Sequence, residues 1–202
     1  MPKRFPEGLS DFEVPTFEEM IQLVQGLNAS TGRKVGIYPE LKAPSFHEKN
    51  RLPMEKAFLN LLAKYGYVGP DALVYVQCFE DEPLRHMRKE LGSQLPQIML
   101  IGGRGQANRF LTRVGLRDVA TFANGIGPSK NLVDDNPDIV KWAHEEGLKV
   151  HPYTLRVDNL PSKYASHEEE LERFYVQCKV DGMFTDFPDR ARKFLSSGQT
   201  GR

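Results

Sequence analysis

Hydrophobic positions along the chain fall into six short runs, separated by longer stretches with a helical period. The runs are VGIYPELK (35–42), ALVYVQCF (72–79), QIMLIGG (97–103), NGIGP (124–128), LKVHPYTL (148–155) and DGMFTDF (181–187). β-Branched and aromatic residues within them, and Gly and Pro around them, predict strands. Between them, LPMEKAFLNLLAKYG (52–66) repeats Leu52, Phe58, Leu59 and Leu62 at helical spacing and stops at Gly66. NPDIVKWAHEEG (136–147) opens beside Pro137 and closes at Gly147, the expected asymmetry of a helix. HEEELERFYVQCK (167–179) follows Ser166, a hydroxyl able to cap it. TFEEMIQLVQGLN (16–28) carries a Thr16/Glu19 capping box ahead of the first strand. VGLRDVATFA (114–123) also predicts a helix, whereas the polar, Gly-rich stretch 103–112 gives no clear pattern.

Strand and helix alternate, and every connection is too long for a hairpin. Parallel strands joined by right-handed crossovers follow. Several runs are apolar on both faces, as a sheet covered by helices requires. No repeat, low-complexity tract or linker divides the sequence, so residues 1–202 read as a single α/β domain. Six strand–helix units fit either an open doubly wound sheet or part of an eight-unit barrel. A dinucleotide-binding turn finds little support, because Gly102, Gly103 and Gly105 do not form G-x-G-x-x-G.

Composition narrows the function. The 27 basic and 27 acidic residues cancel, and no basic block appears, which argues against a nucleic-acid partner. No run approaches the roughly 18 apolar residues of a membrane span, and MPKRFPEGLSDFE lacks the apolar core of a signal peptide. Cys78 and Cys178 fall in regular elements far apart and read as free buried thiols.

In parallel α/β folds, chemistry gathers at the C-terminal ends of strands. Those ends offer Glu40 and Lys42, Gln77 and Phe79, His151 and Tyr153, and Thr185 and Asp186. Alternation puts Tyr38, Glu40 and Lys42 on one face. Glu40 could give oxygens to a hard cation while Lys42 neutralises a phosphate oxygen, or the two could close an ion pair. Gln77 could be a satisfied buried amide, and His151 a structural hydrogen-bonder. Asp186 reads first as an N-cap for the last helix, with a catalytic pairing of His151 and Asp186 as a further reading. His47 could be a plain solvent-exposed loop residue, and His86, His144 and His167 read as surface positions on helices.

YPELKAPSFH, VYVQCF, NGIGP, KVHPYTLR and DGMFTDFPD, in that order, resemble the glycerophosphodiester phosphodiesterases, most closely the bacterial periplasmic type. The resemblance runs from about residue 4 to 195. It implies a (β/α)8 TIM barrel, dependence on a divalent cation (Ca or Mg), and hydrolysis of glycerophosphodiesters to glycerol 3-phosphate and an alcohol. It also implies a metal ligand at Glu40, a phosphate-binding catalytic lysine at Lys42, and substrate-binding positions at Gln77 and Tyr153. The family's His-Arg pair, E-x-D motif and second histidine have no counterpart in this sequence. About six of eight units are present, so the expectation is an incomplete barrel, inactive by itself. Such a chain would assemble with another copy or with a separate N-terminal piece.

Overall fold

Four strands hydrogen-bond in the order in which the chain makes them: β1 (Val76–Cys78), β2 (Gln97–Ile101), β3 (Gly125–Pro128) and β4 (Lys149–Val150), all parallel. Parallel bridges extend this series at both sides, Glu40 to Gln77 before β1, and Leu155 to Thr185 beyond β4. Each strand position therefore sits beside its predecessor. A doubly wound sheet reverses order at a switch point; this sheet does not, which is the winding of a barrel. Residues 13–198 are described in this computed structural model. The readings made on the first twelve residues lie outside that range.

The chain divides into two compact units between Ile37 and Tyr38. The first holds α1 (Phe17–Thr31), and its capping box forms as the sequence requires. The Thr16 hydroxyl accepts from the Glu19 amide at 3.2 Å, and the Glu19 carboxylate accepts from the Thr16 amide at 2.7 Å. Donation to that carboxylate from the Thr16 amide, and from the Thr16 hydroxyl at 2.7 Å, holds the Glu19 carboxyl below its ordinary range. Gly32, at φ +67°, ends the helix, and the Asn28 side chain clasps both backbone groups of Val35.

The second unit wraps its sheet in helices: α2 (Pro44–Lys49), α3 (Glu55–Lys64), α4 (Asp81–Lys89), α5 (Arg104–Phe110), α6 (Arg113–Val119), α7 (Lys130–Asp135), α8 (Asp138–Glu145), α9 (His167–Glu172) and α10 (Pro188–Ser196). Every residue of β2 is buried, as a strand covered on both faces must be. Leu84, Met87, Leu116, Val119, Val140, Ala143, Leu171 and Phe174 supply the buried helical side. Glycines in β3 allow close strand contact. A Cβ on Gly125 would stand 2.6 Å from the Lys149 carbonyl, and one on Gly127 2.6 Å from Leu100 Cδ2.

The strands are shorter than the apolar runs. Pro39 and Pro152 have no N–H to donate, so pairing there shrinks to single bridges at Glu40, Tyr153 and Leu155. The unreadable stretch 103–112 is helical as α5. Another helix, α7, precedes the one expected at 136–147, and Asn136 and Pro137 part the two. After α9 the chain widens to a π-helical turn, Arg173–Gln177. Both cysteines are buried and free.

Two side-chain readings are corrected. His167 is buried, not a surface residue, and lies 3.4 Å from the fully buried Glu170, which Lys130 neutralises at 2.6 Å. Burial follows from packing on the inner face of α9, which charged neighbours in the sequence disguise. Asp186 is not the cap of α10. That helix starts with Pro188 in its first turn, and Asp186 instead accepts from Arg156 Nε at 2.7 Å. Among the described residues, no helix is long and apolar enough to cross a membrane.

Candidate active site

Glu40 and Gln77 face each other across the first bridge. Leu41 N donates to Gln77 O at 2.9 Å, and Gln77 N donates to Pro39 O at 3.0 Å. Gln77 is buried, and its amide reaches the Tyr38 carbonyl at 3.4 Å, a long contact. Beyond Glu40 the chain reaches Lys42 and then turns through Ala43, whose φ of +47° places a non-glycine residue in left-handed space before Pro44 opens α2. That turn leaves Lys42 on the outside, with 85% of its side chain exposed. Its Nζ lies 4.0 Å from Glu40 Oε1. An exposed pair at that separation contributes about 0–1 kcal/mol. An ion pair holding the fold together is therefore a poor account of these two residues.

Tyr153 stands on the far side of β2 and β3. Its backbone is tied by Tyr153 N to Pro128 O at 3.1 Å and by Lys130 N to Tyr153 O at 2.8 Å. Its ring meets Phe79 edge-on, with centroids 5.9 Å apart, and its hydroxyl donates to Ile101 O at 3.3 Å. Burial raises the Tyr153 phenol above its ordinary value, and the negative charge of Glu40 adds to the effect. The carboxylate and the phenol thus share one electrostatic environment at the strand ends.

Beneath them is an aromatic layer. The Tyr38 hydroxyl and His151 Nδ1 are 2.9 Å apart, Tyr75 meets the imidazole edge-on at 5.2 Å, and Phe184 meets Tyr38 edge-on at 4.7 Å. Burial lowers His151 to about 4, so it is neutral at neutral pH. Gly182 makes room for it, since a Cβ there would lie 3.1 Å from the imidazole. His151 bonds Tyr38, and Asp186 bonds Arg156. Of the other histidines, His47 lies in α2 and is half-buried rather than in an exposed loop, because Pro44 opens a helix there, while His86 and His144 are exposed, the latter 2.9 Å from Asp181.

Strand alternation offers Glu40, Lys42, Gln77 and Tyr153 among other strand-end residues, and the family resemblance singles them out. It does not find Phe79 packing on Tyr153, nor Gly102 and Gln106 behind them, because those contacts cross between strands.

Comparison with known proteins identifies the fold and the family. A crystal structure from Silicibacter pomeroyi superimposes with a TM-score of 0.71 at 24% identity, covering 96% of this chain and 61% of the other. A glycerophosphodiester phosphodiesterase from Parabacteroides distasonis gives a TM-score of 0.63 at 17% identity, covering 91% of this chain and 64% of the other. These likenesses show the fold, which is of the TIM-barrel type. A glycerophosphodiester phosphodiesterase of Haemophilus influenzae is 34% identical across 96% of this chain, and one of Treponema pallidum is 30% identical across 96%. The chain spans 62% and 63% of the lengths of those two proteins. The profile of the glycerophosphoryl diester phosphodiesterase family matches residues 2–190, and the chain belongs to that family.

Proposed function

We propose that this chain supplies the phosphate-facing part of a glycerophosphodiester phosphodiesterase site, which hydrolyses glycerophosphodiesters to glycerol 3-phosphate and an alcohol. The observation that carries the reading is the loose Glu40–Lys42 pair at a strand end, in a chain of this family. A lysine so exposed can turn its ammonium to a phosphate oxygen without breaking a strong contact. Gln77 and Tyr153 line the neighbouring strand ends and would bear on the glycerol moiety.

The family's enzymes generally depend on a divalent cation. Calcium or magnesium takes about six or more oxygens, and Glu40 offers two at most. Among the described residues, no group of three or more His, Cys, Asp or Glu gathers to hold a metal. The described residues alone do not fit a complete cation site. What the chain does itself is place positive charge beside phosphorus, where a developing negative charge gains most from it.

His151, the one histidine among these strand ends, is neutral, buried and engaged with Tyr38. Proton transfer by a placed acid or base typically contributes about 10²- to 10⁴-fold. The chain by itself is therefore expected to hydrolyse glycerophosphocholine negligibly. Addition of an upstream segment bearing the family's His-Arg and E-x-D motifs is expected to restore hydrolysis. Turnover by the chain alone near that of a full-length relative would overturn this reading. A segment that assembles with the chain but restores no turnover would favour the alternative, a non-catalytic subunit that binds glycerol phosphates or a partner chain.

The same reading extends to assembly. Among the described residues, the Glu40 and Thr185 segments bridge to Gln77 and Leu155, and those bridges end the strand series at its two sides. Unpaired strand edges invite pairing with another chain. Self-association, or capture of a separate N-terminal piece, is expected by size-exclusion chromatography; a monomer with a sharp, high-temperature melt would contradict it.

A further inference from the structure

The β1–β2 ladder ends where Cys78 pairs with Met99. Beyond it, the backbones of Phe79 and Gly102 would be expected to drift apart. A single side chain bridges them. Gln106, in the first turn of α5, accepts the Gly102 N–H on Oε1 at 3.0 Å and donates from Nε2 to the Phe79 carbonyl at 2.6 Å. An amide fits here because one end must accept and the other must donate. Gln106 thus ties the two strand ends together beyond their last backbone pair, although Phe79 and Gly102 are not opposite each other in the register.

The two groups it holds form the notch that seats Tyr153. The Phe79 ring packs edge-on against the phenol, and the missing side chain of Gly102 leaves the space for its hydroxyl. A Cβ at Gly102 would lie 3.0 Å from Tyr153 Oη and 3.2 Å from Phe79 Cε1. The hydroxyl also bonds Ile101 O, the residue just before Gly102. We infer that Gln106 is a positioning residue: by tying Phe79 to Gly102, it sets where Tyr153 presents its ring to the substrate. Its importance for ligand binding rests on the reading of Tyr153 as substrate wall given above.

Fluorotyrosine-labelled chain, with the Tyr153 signal identified by its loss in Tyr153→Phe, reads the ring position directly by fluorine NMR. Gln106→Met keeps the bulk and removes both bonds. It should shift the Tyr153 signal and weaken binding of glycerol 3-phosphate about 2- to 10-fold, the range of one neutral hydrogen bond. Gln106→Glu supplies a second variant. At neutral pH the carboxylate faces the Phe79 carbonyl without a proton to donate, and the Tyr153 signal should move. On acidification the carboxyl gains that proton, and the signal should return towards wild type, a rescue that loss of fold would not give. A Tyr153 signal unmoved in either variant, or an acid rescue that fails, would overturn the inference. A shifted and rescued signal with glycerol 3-phosphate binding unchanged would instead keep the positioning role and overturn the substrate-wall reading.

Discussion

The two sides of the strand-end surface are built on opposite plans. On the Glu40–Lys42 side, the charged atoms are 4.0 Å apart and the lysine is largely exposed. On the Tyr153 side, backbone bonds to Pro128 and Lys130, a hydroxyl bond to Ile101 and the Gln106 bridge fix one aromatic ring from several directions. On the function proposed above, the difference separates two requirements of a binding site. A wall that defines shape must be preorganised before the ligand arrives. A charge that follows phosphate can remain mobile, because the ligand itself supplies its partner.

The largest expected effect lies behind the fixed side. Lys130→Met leaves the fully buried Glu170 without its cation, and breaking a buried pair costs about 3–5 kcal/mol. Denaturant unfolding should show that loss. A change within error would show that the buried pair does not hold α7 against α9. On the mobile side, Lys42→Ala in a form completed with the upstream segment should cut turnover by about 10²- to 10³-fold, as loss of one stabilising donor does. Its melting temperature should stay near wild type, which thermal denaturation alongside the assay will check.

Acid should act on the aromatic layer under both sides. Burial holds His151 near 4 in the folded state against an ordinary value of 6.5. The unfolded chain therefore binds the proton first as pH falls. Stability is full above about 6.5 and declines as pH drops towards 4, a loss of about 3 kcal/mol if the whole shift is realised. His151→Phe should flatten this part of a pH–stability profile. The smallest effect is expected from Glu40→Gln on the isolated chain, within about 0–1 kcal/mol of wild type in denaturant. A larger loss would return the pair to a structural role.

Much of this architecture was legible because it is local. The Thr16/Glu19 spacing forms its capping box, and Gly66 and Gly147 sit at φ +80° and +74° beyond the helices they end. The bridge that sets Glu40 across from Gln77 was not legible, because alternation fixes the faces of one strand and not its register against another. Spacing alone could not choose between an open sheet and a barrel, since that depends on neighbour order, which the bridges reveal; the family resemblance pointed to the barrel. His167 was misread because charged neighbours on α9 hide an inward face. Asp186 was misread because its partner, Arg156, lies 30 residues away. Gln106 escaped notice for the same reason: its two partners belong to different strand ends.

Glycerol 3-phosphate titrated into the chain by calorimetry, with wild type and Lys42→Ala compared and each melted under the same conditions, bears most directly on the uncommitted charge. The account predicts that the substitution removes the binding heat while the melting temperature is unchanged. Binding retained with a lowered melting temperature would show that Lys42 serves the fold, and would contradict it.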